Sequence, residues 1–131
     1  MNDPLERYFR ILEGMEKALY LLLRESESEF DSSQSDGHLW EVHEKGMRAF
    51  WSQAHTGSSS TGGRLIEGRS LLDLKAGLAS RMLSRCEICE WKCGADRAGG
   101  IEGRCGVLDS RISSEFLHYG EEPQLIPSHT I

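Results

Sequence analysis

Residues 86–106 read CEICEWKCGADRAGGIEGRCG and contain all four cysteines of the 131-residue chain. The spacing is Cys86-x2-Cys89-x3-Cys93-x11-Cys105. A Cys-x2-Cys turn directs two thiolates at one ion, and the two later cysteines complete a set of four sulfur ligands. The glycines between and after the cysteines allow the positive-φ turns that wrapping a small site requires. The sequence therefore predicts a small irregular metal knuckle at these four cysteines.

The four-cysteine set does not identify the metal. Four thiolates suit tetrahedral Zn²⁺ and an iron–sulfur cluster equally well. Because all ligand positions are filled by the protein, we expect a structural rather than a catalytic site, and we predict no catalytic residue. The alternative is a set of free or disulfide-paired cysteines. Four basic residues near the site either offset the thiolate charge or are ordinary solvated side chains: Arg85, Lys92, Arg97 and Arg104.

Composition excludes several classes of partner. The chain has 15 basic and 21 acidic residues and a net charge of -6, which argues against a nucleic-acid surface. No stretch reaches the roughly 18 apolar residues that span a bilayer, and the N-terminus lacks the features of a secretory signal. We therefore expect a cytoplasmic protein without nucleic-acid or membrane partners. Thiols stay reduced in that compartment, which favours a metal over disulfides.

The start of the chain has helical periodicity. Apolar residues between Leu5 and Leu23 recur mostly at spacings of three and four and form one stripe. Asp3 is suited to the N-cap and Pro4 to the first helical position. The pattern predicts one amphipathic helix, whose stripe either packs within the protein or binds a partner.

Two further helices are predicted before the cysteines, at about residues 39–54 and 70–85. Ser70 and Asp73 have the spacing of a capping pair at the start of the later helix. That helix leads directly into Cys86, so it would position the cysteine segment.

The sequence divides into two parts. Residues 1–69 form a helical extension with an acidic Ser/Glu/Asp-rich linker at 24–37 and a Gly/Ser/Thr-rich linker at 56–63. Residues 70–131 contain a helix, the cysteine module and, at 107–119, a predicted short hairpin or strand. The expected fold class is mainly α with a small irregular four-cysteine knuckle and a short β-hairpin, without a complete barrel.

Three segments of the C-terminal half resemble a known family. They are Cys86-x2-Cys89-x3-Cys93-Gly-Ala-Asp-Arg97, Gly103-Arg-Cys105-Gly106 and His118-Tyr-Gly-Glu121-Glu122-Pro123. Residues 71–131 are thus similar to the N-terminal region of radical-SAM proteins related to the pyruvate formate-lyase activating enzyme, in the PflX-like group. In that family the region precedes a β/α barrel. A Cys-x3-Cys-x2-Cys motif in the barrel holds the 4Fe-4S cluster that cleaves S-adenosylmethionine.

The resemblance implies a non-catalytic metal- or iron–sulfur-binding N-terminal module. Its partner would be the radical-SAM barrel, encoded by the same gene or by an adjacent polypeptide. The Cys-x3-Cys-x2-Cys motif is absent from these 131 residues, so we expect no S-adenosylmethionine binding and no activity by this chain alone. The chain looks like the front part of a split or truncated gene. The resemblance also implies that His118, Glu121 and Glu122 face the barrel mouth, with a plain solvated turn as the alternative.

Two other functional classes fit the cysteines. One is an independent zinc knuckle that docks onto a protein partner. The other is a small iron–sulfur electron-transfer module, although ferredoxin-type runs usually have tighter cysteine spacing. The metal itself separates these classes, because a zinc ion cannot relay electrons.

Overall fold

The computed structural model of the chain describes residues 5–54, 66, 68–109, 111–119 and 128–130. Several predicted features lie outside the described residues: the cap at Asp3 and Pro4, the Gly/Ser/Thr-rich segment 56–63, Glu121 and Glu122, and the side chain of His118.

The described part of the chain is mainly helical, as predicted. The helices are α1 (Glu6–Leu12), α2 (Leu19–Glu25), α3 (Asp36–Ala54) and α4 (Leu71–Arg81), and the strands are β1 (Phe116–His118) and β2 (Ser128–Thr130). The two strands pair antiparallel, with Leu117 opposite His129. No barrel occurs within the described ranges. No helix among them is both long enough and apolar enough to cross a bilayer.

The chain forms two compact units, Met1–Met82 and Leu83–Ile131. The sequence predicts a division at residue 69, between the extension that contains the linkers and the helix that leads into the cysteines. In the structure α4 contacts both α2 and α3. This helix therefore belongs to the first unit, and the cysteine segment belongs to the second.

The first predicted helix is two helices, because the chain changes direction at Gly14. This glycine has a φ of +72°. Beyond the end of α1, the N–H groups of Gly14 and Met15 donate to the carbonyls of Ile11 and Arg10 at 3.1 and 2.8 Å. These bonds form a Schellman cap, which satisfies the last carbonyls of a helix and stops it. The prediction of one continuous helix is wrong at this glycine.

The core of the first unit lies where α2, α3 and α4 meet. Helix α4 contributes a row of leucines at spacings of three and four, the periodicity that places residues on one helix face. The buried apolar residues are Leu71, Leu74 and Leu78 of α4, Leu23 of α2, and Leu39 and Phe50 of α3. Helix α1 buries no residue, so its apolar stripe is not part of this core.

The acidic segment after α2 pairs with the chain that enters α4. Glu27 and Ser70 form an antiparallel bridge, and the N–H of Ser28 donates to the carbonyl of Arg69 at 2.8 Å. The guanidinium of Arg81 binds two carbonyls later in the segment. Composition predicts a flexible linker here, whereas the structure describes an ordered connection. Backbone pairing produces this order, and composition carries no signal for it.

Helix α4 begins at the predicted cap. The Ser70 hydroxyl accepts from the Asp73 N–H at 3.1 Å, and the Ser70 N–H donates to the Asp73 carboxylate at 3.0 Å. Each side chain satisfies a backbone donor that the first helical turn leaves unpaired. The helix is followed by a 3₁₀ turn, Met82–Arg85, which ends directly before Cys86.

Candidate metal centre

Cys86 is the buried end of the cysteine segment, with 3% of its surface exposed. Its N–H donates to the carbonyl of Ala95 at 3.0 Å, and its carbonyl accepts from the N–H of Gly94 at 3.0 Å. Because Gly94 directly follows Cys93, these two backbone bonds hold the first cysteine beside the third. The three later cysteines are exposed.

Cys93 and Cys105 have the same local geometry. Each is followed by a glycine in the left-handed region, with φ of +65° at Gly94 and +66° at Gly106. In each case the backbone N–H two residues after the cysteine hydrogen-bonds the sulfur. A positive φ is accessible to glycine at little cost, which allows the chain to turn an amide back toward the sulfur. The two Cys-Gly turns thus present equivalent sulfurs.

Hydrogen bonds lower the pKa of both exposed thiols in these turns. The backbone amides of Ala95 and Arg104 are the largest causes of the lowered pKa of Cys93. At Cys105 the largest cause is the hydrogen bond from the Arg97 guanidinium, followed by a backbone amide. The thiolate is the form that binds metals, so this environment favours the form that a metal site needs.

Arg97 lies among the sulfurs. Its Nη2 donates to the Cys105 sulfur at 3.0 Å. The guanidinium also hydrogen-bonds Cys86, and these bonds, with Cys86 the larger cause, raise the pKa of Arg97. A Cβ at Gly103 would collide with the guanidinium and lie 3.0 Å from the Cys93 sulfur. Three of the four cysteines are therefore gathered around one guanidinium, in a space that exists because residue 103 is glycine.

Two of the other basic residues near the site have different partners. The Arg104 guanidinium lies 3.6 Å above the ring of Trp91, and Arg85 pairs with Glu87 at 3.3 Å. The sequence does not distinguish the four basic residues. In the structure it is Arg97 that lies among the sulfurs. Its position depends on a local turn and on the space at Gly103, and the cysteine spacing in the sequence does not reveal either contact.

Cys89 is the predicted ligand that the structure does not bring to the others. It begins a turn in which the N–H of Lys92 donates to the Cys89 carbonyl at 2.9 Å. Lys92 has a φ of +38°, which is uncommon for a residue other than glycine. Within the described ranges, no sulfur contact links Cys89 to the other cysteines.

The four cysteine sulfurs suit a metal by their chemistry but not by the distances between them. Among the described residues, no group of three Cys, His, Asp or Glu side chains converges closely enough to hold an ion. A tetrahedral zinc site places its sulfurs about 2.3 Å from the ion, and hence about 4 Å from each other. The four soft donors of one segment, three of them gathered, remain the arrangement that suits Zn²⁺ or an iron–sulfur cluster.

The second unit lacks a conventional core in its described part. The buried apolar cluster lies wholly within the first unit. Among the described residues of the second unit, Cys86 alone is buried. Ile88, Trp91 and Ile101 are each about 60% exposed. Units of this size that bury little apolar surface usually depend on disulfides, metals or a partner. The gathered cysteines are the group that can serve this purpose.

Comparison with known proteins gives a longer archaeal relative. The chain is 31% identical to the uncharacterized protein MJ0674 of Methanocaldococcus jannaschii over 127 residues, which is 97% of this chain and 36% of that protein. The chain thus spans about a third of the length of this curated relative. No protein-family model and no solved structure matches the chain. The similarity links nearly the whole chain, with both of its units, to one part of a larger archaeal protein.

Proposed function

We propose that the second unit binds one metal centre, a Zn²⁺ ion or an iron–sulfur cluster, through Cys86, Cys89, Cys93 and Cys105. The observation that carries this proposal is the gathering of three thiols around one guanidinium, in a unit without a buried apolar cluster among its described residues. Paired Cys-Gly turns and lowered thiol pKa values support it. Cys89 supplies the fourth sulfur by a rearrangement of its exposed turn.

The residues of this chain have clear roles in such a site. The backbone amides of the two Cys-Gly turns stabilise thiolates and orient them, while pairing of Cys86 with residues 94 and 95 holds Cys86 beside the first of these turns. When bound, a zinc ion would cross-link the segment, and a cluster would in addition exchange electrons. With all positions filled by protein sulfur, the module is structural or electron-transferring and has no role of its own in bond breaking.

We also propose that this module is the N-terminal part of a cytoplasmic radical-SAM system related to the pyruvate formate-lyase activating enzyme. Support comes from the three motif segments in residues 86–123 and from the archaeal relative, in which almost two thirds of the length lies outside the match. In this proposal the barrel is the partner that binds S-adenosylmethionine. The present chain contributes an accessory metal site.

The metal proposal is tested on protein purified without oxygen. We expect either one zinc per chain without visible colour, or iron and sulfide with broad charge-transfer absorption in the visible range. Each Cys→Ser variant is expected to lose the metal, whereas Ser84→Ala, next to the segment, retains it. Cys89→Ser is the most informative variant, because the structure leaves Cys89 apart. Full metal content in Cys89→Ser would contradict a four-sulfur site.

The radical-SAM proposal has a separate test in the genome. The DNA that follows the codon for Ile131, or an adjacent gene, is expected to encode a Cys-x3-Cys-x2-Cys segment at the end of a predicted strand. Neighbouring DNA without this segment in any reading frame would contradict the radical-SAM proposal and leave the metal site unaffected.

A further inference from the structure

We propose that Arg97 is a positioning residue of the metal centre, whose guanidinium keeps donating N–H···S hydrogen bonds to Cys86 and Cys105 when the metal is bound. This inference rests on the proposed function and goes beyond the ligand set. In this role the Arg97 guanidinium holds the sulfurs of Cys86 and Cys105 in position and offsets their negative charge.

The backbone around Arg97 is fixed independently of the sulfurs. Its N–H donates to the carbonyl of Leu83 at 2.8 Å, and its carbonyl accepts from the N–H of Gly100 at 3.1 Å. The neighbouring Asp96 accepts from the N–H of Ile101 at 2.8 Å with its carbonyl. The side chain therefore extends from an anchored turn. Because this backbone is already ordered, the bonds to sulfur cost no further backbone conformational entropy.

Space for the guanidinium is provided by Gly103. A Cβ at this position would collide with the Arg97 guanidinium and lie 3.0 Å from the Cys93 sulfur. Residue 103 matters here through its lack of a side chain and not through its backbone, which is not among those with a positive φ. An alanine here would push the guanidinium away without removing its charge.

Metal coordination and these hydrogen bonds are compatible in chemistry. A thiolate sulfur has three lone pairs and uses one for the metal, so an N–H can remain on another. Four thiolates around Zn²⁺ leave a net charge of about -2, which a nearby guanidinium reduces. Groups that hydrogen-bond metal ligands typically contribute 10- to 100-fold to metal affinity. The planar fork of arginine can bridge two sulfurs, whereas the single ammonium of lysine cannot do so equally well.

The test uses Co²⁺ as the probe on the full chain under anaerobic conditions, with affinity measured by competition against a chelator. We expect Arg97→Ala to bind Co²⁺ about 10- to 100-fold more weakly than the wild type. Gly103→Ala is expected to weaken binding in the same direction, and Arg97→Lys to restore part of the loss. Arg85→Ala removes an equal charge one residue from Cys86, from a side chain that pairs with Glu87, and is expected to leave the affinity unchanged.

Absorption adds a readout that a purely structural role does not move. An N–H···S bond lowers the energy of the sulfur electrons, so its loss moves the sulfur-to-cobalt charge-transfer band to lower energy. We expect this shift in Arg97→Ala and Gly103→Ala, and not in Arg85→Ala. Wild-type affinity and an unshifted band in Arg97→Ala would overturn the role of Arg97 alone. A wild-type chain that binds no Co²⁺ would overturn the proposed metal site as well.

Discussion

Gly46 lies on α3 where this helix meets the first turn of α4, and its lack of a side chain leaves room for Leu71. A Cβ at residue 46 would lie 2.8 Å from the Leu71 Cδ1, and Leu71 is 1% exposed. Gly77 of α4 offers the opposite case, because nothing lies within 4 Å of its Cβ position. Sequence reasoning placed both glycines in helices. It could not distinguish them, because the difference depends on a neighbour 25 residues away from Gly46 along the chain.

The same substitution at these two glycines is expected to have opposite effects. Gly46→Ala overpacks the core, which typically costs about 1–3 kcal/mol and outweighs the gain of about 1 kcal/mol in helix propensity. Gly77→Ala gains the propensity alone and raises the free energy of unfolding by about 0.5–1 kcal/mol. Urea unfolding of the full chain, followed by circular dichroism at helical wavelengths, measures both. A stabilised Gly46→Ala would show that Leu71 is not fixed by its packing.

Element boundaries show where local signals decide and where they do not. The capping box of α4 was predictable, because Ser70 and Asp73 satisfy their own helix within four residues. The break between α1 and α2 was missed although Gly14 marks it. The apolar spacing continues across the break through Leu12, Met15 and Leu19, and periodicity outweighed a single glycine. The pairing of the acidic segment with residues 69–71 has no local signal at all.

The capping box makes the stability of α4 dependent on pH. Hydrogen bonds from the Ser70 side chain and backbone lower the pKa of Asp73 from its usual 3.8. Since the folded-state pKa is the lower one, this stabilisation is complete above about pH 5 and is lost as the pH falls through the folded-state pKa. We expect Asp73→Asn to unfold at a lower temperature at neutral pH and to lose less stability on acidification than the wild type.

Thermal unfolding between neutral and acidic pH measures the effect. Ser70→Ala removes the partner and is expected to cost about 0.5–2 kcal/mol at neutral pH, whereas Ser80→Ala, exposed later in the same helix, is nearly neutral. An Asp73→Asn variant with the stability and the pH profile of the wild type would show that the capping box does not stabilise α4.

At the scale of the whole molecule, the two units depend on different forces. The first buries leucines and a phenylalanine from three helices, and the helical pattern of the sequence predicted most of those positions. The second buries Cys86 and leaves Ile88, Trp91 and Ile101 exposed. Spacing predicted its four cysteines as one ligand set, and the structure gathers three of them. Their arrangement could not be predicted, because the Leu83 carbonyl and the space at Gly103 select Arg97 from four basic residues.

Metal removal is therefore expected to affect the units unequally. Because formation of a metal site and folding are coupled, a chelator should abolish amide protection in residues 86–106 and leave α2, α3 and α4 protected. Hydrogen exchange followed by mass spectrometry of peptides reports each unit separately. Loss of protection in both units together would contradict a separate metal-dependent unit, and unchanged protection in residues 86–106 would contradict the dependence on metal.

Native mass spectrometry of the chain purified without oxygen shows whether the four cysteines of the second unit hold one metal centre. We expect a mass that exceeds that of the apo-chain by one Zn²⁺ ion or one iron–sulfur cluster. The same chain with Cys86→Ser is expected to have the mass of the metal-free protein. A wild-type chain with the mass of the fully reduced polypeptide, or lighter by the hydrogens lost to disulfides, would contradict a four-cysteine metal centre.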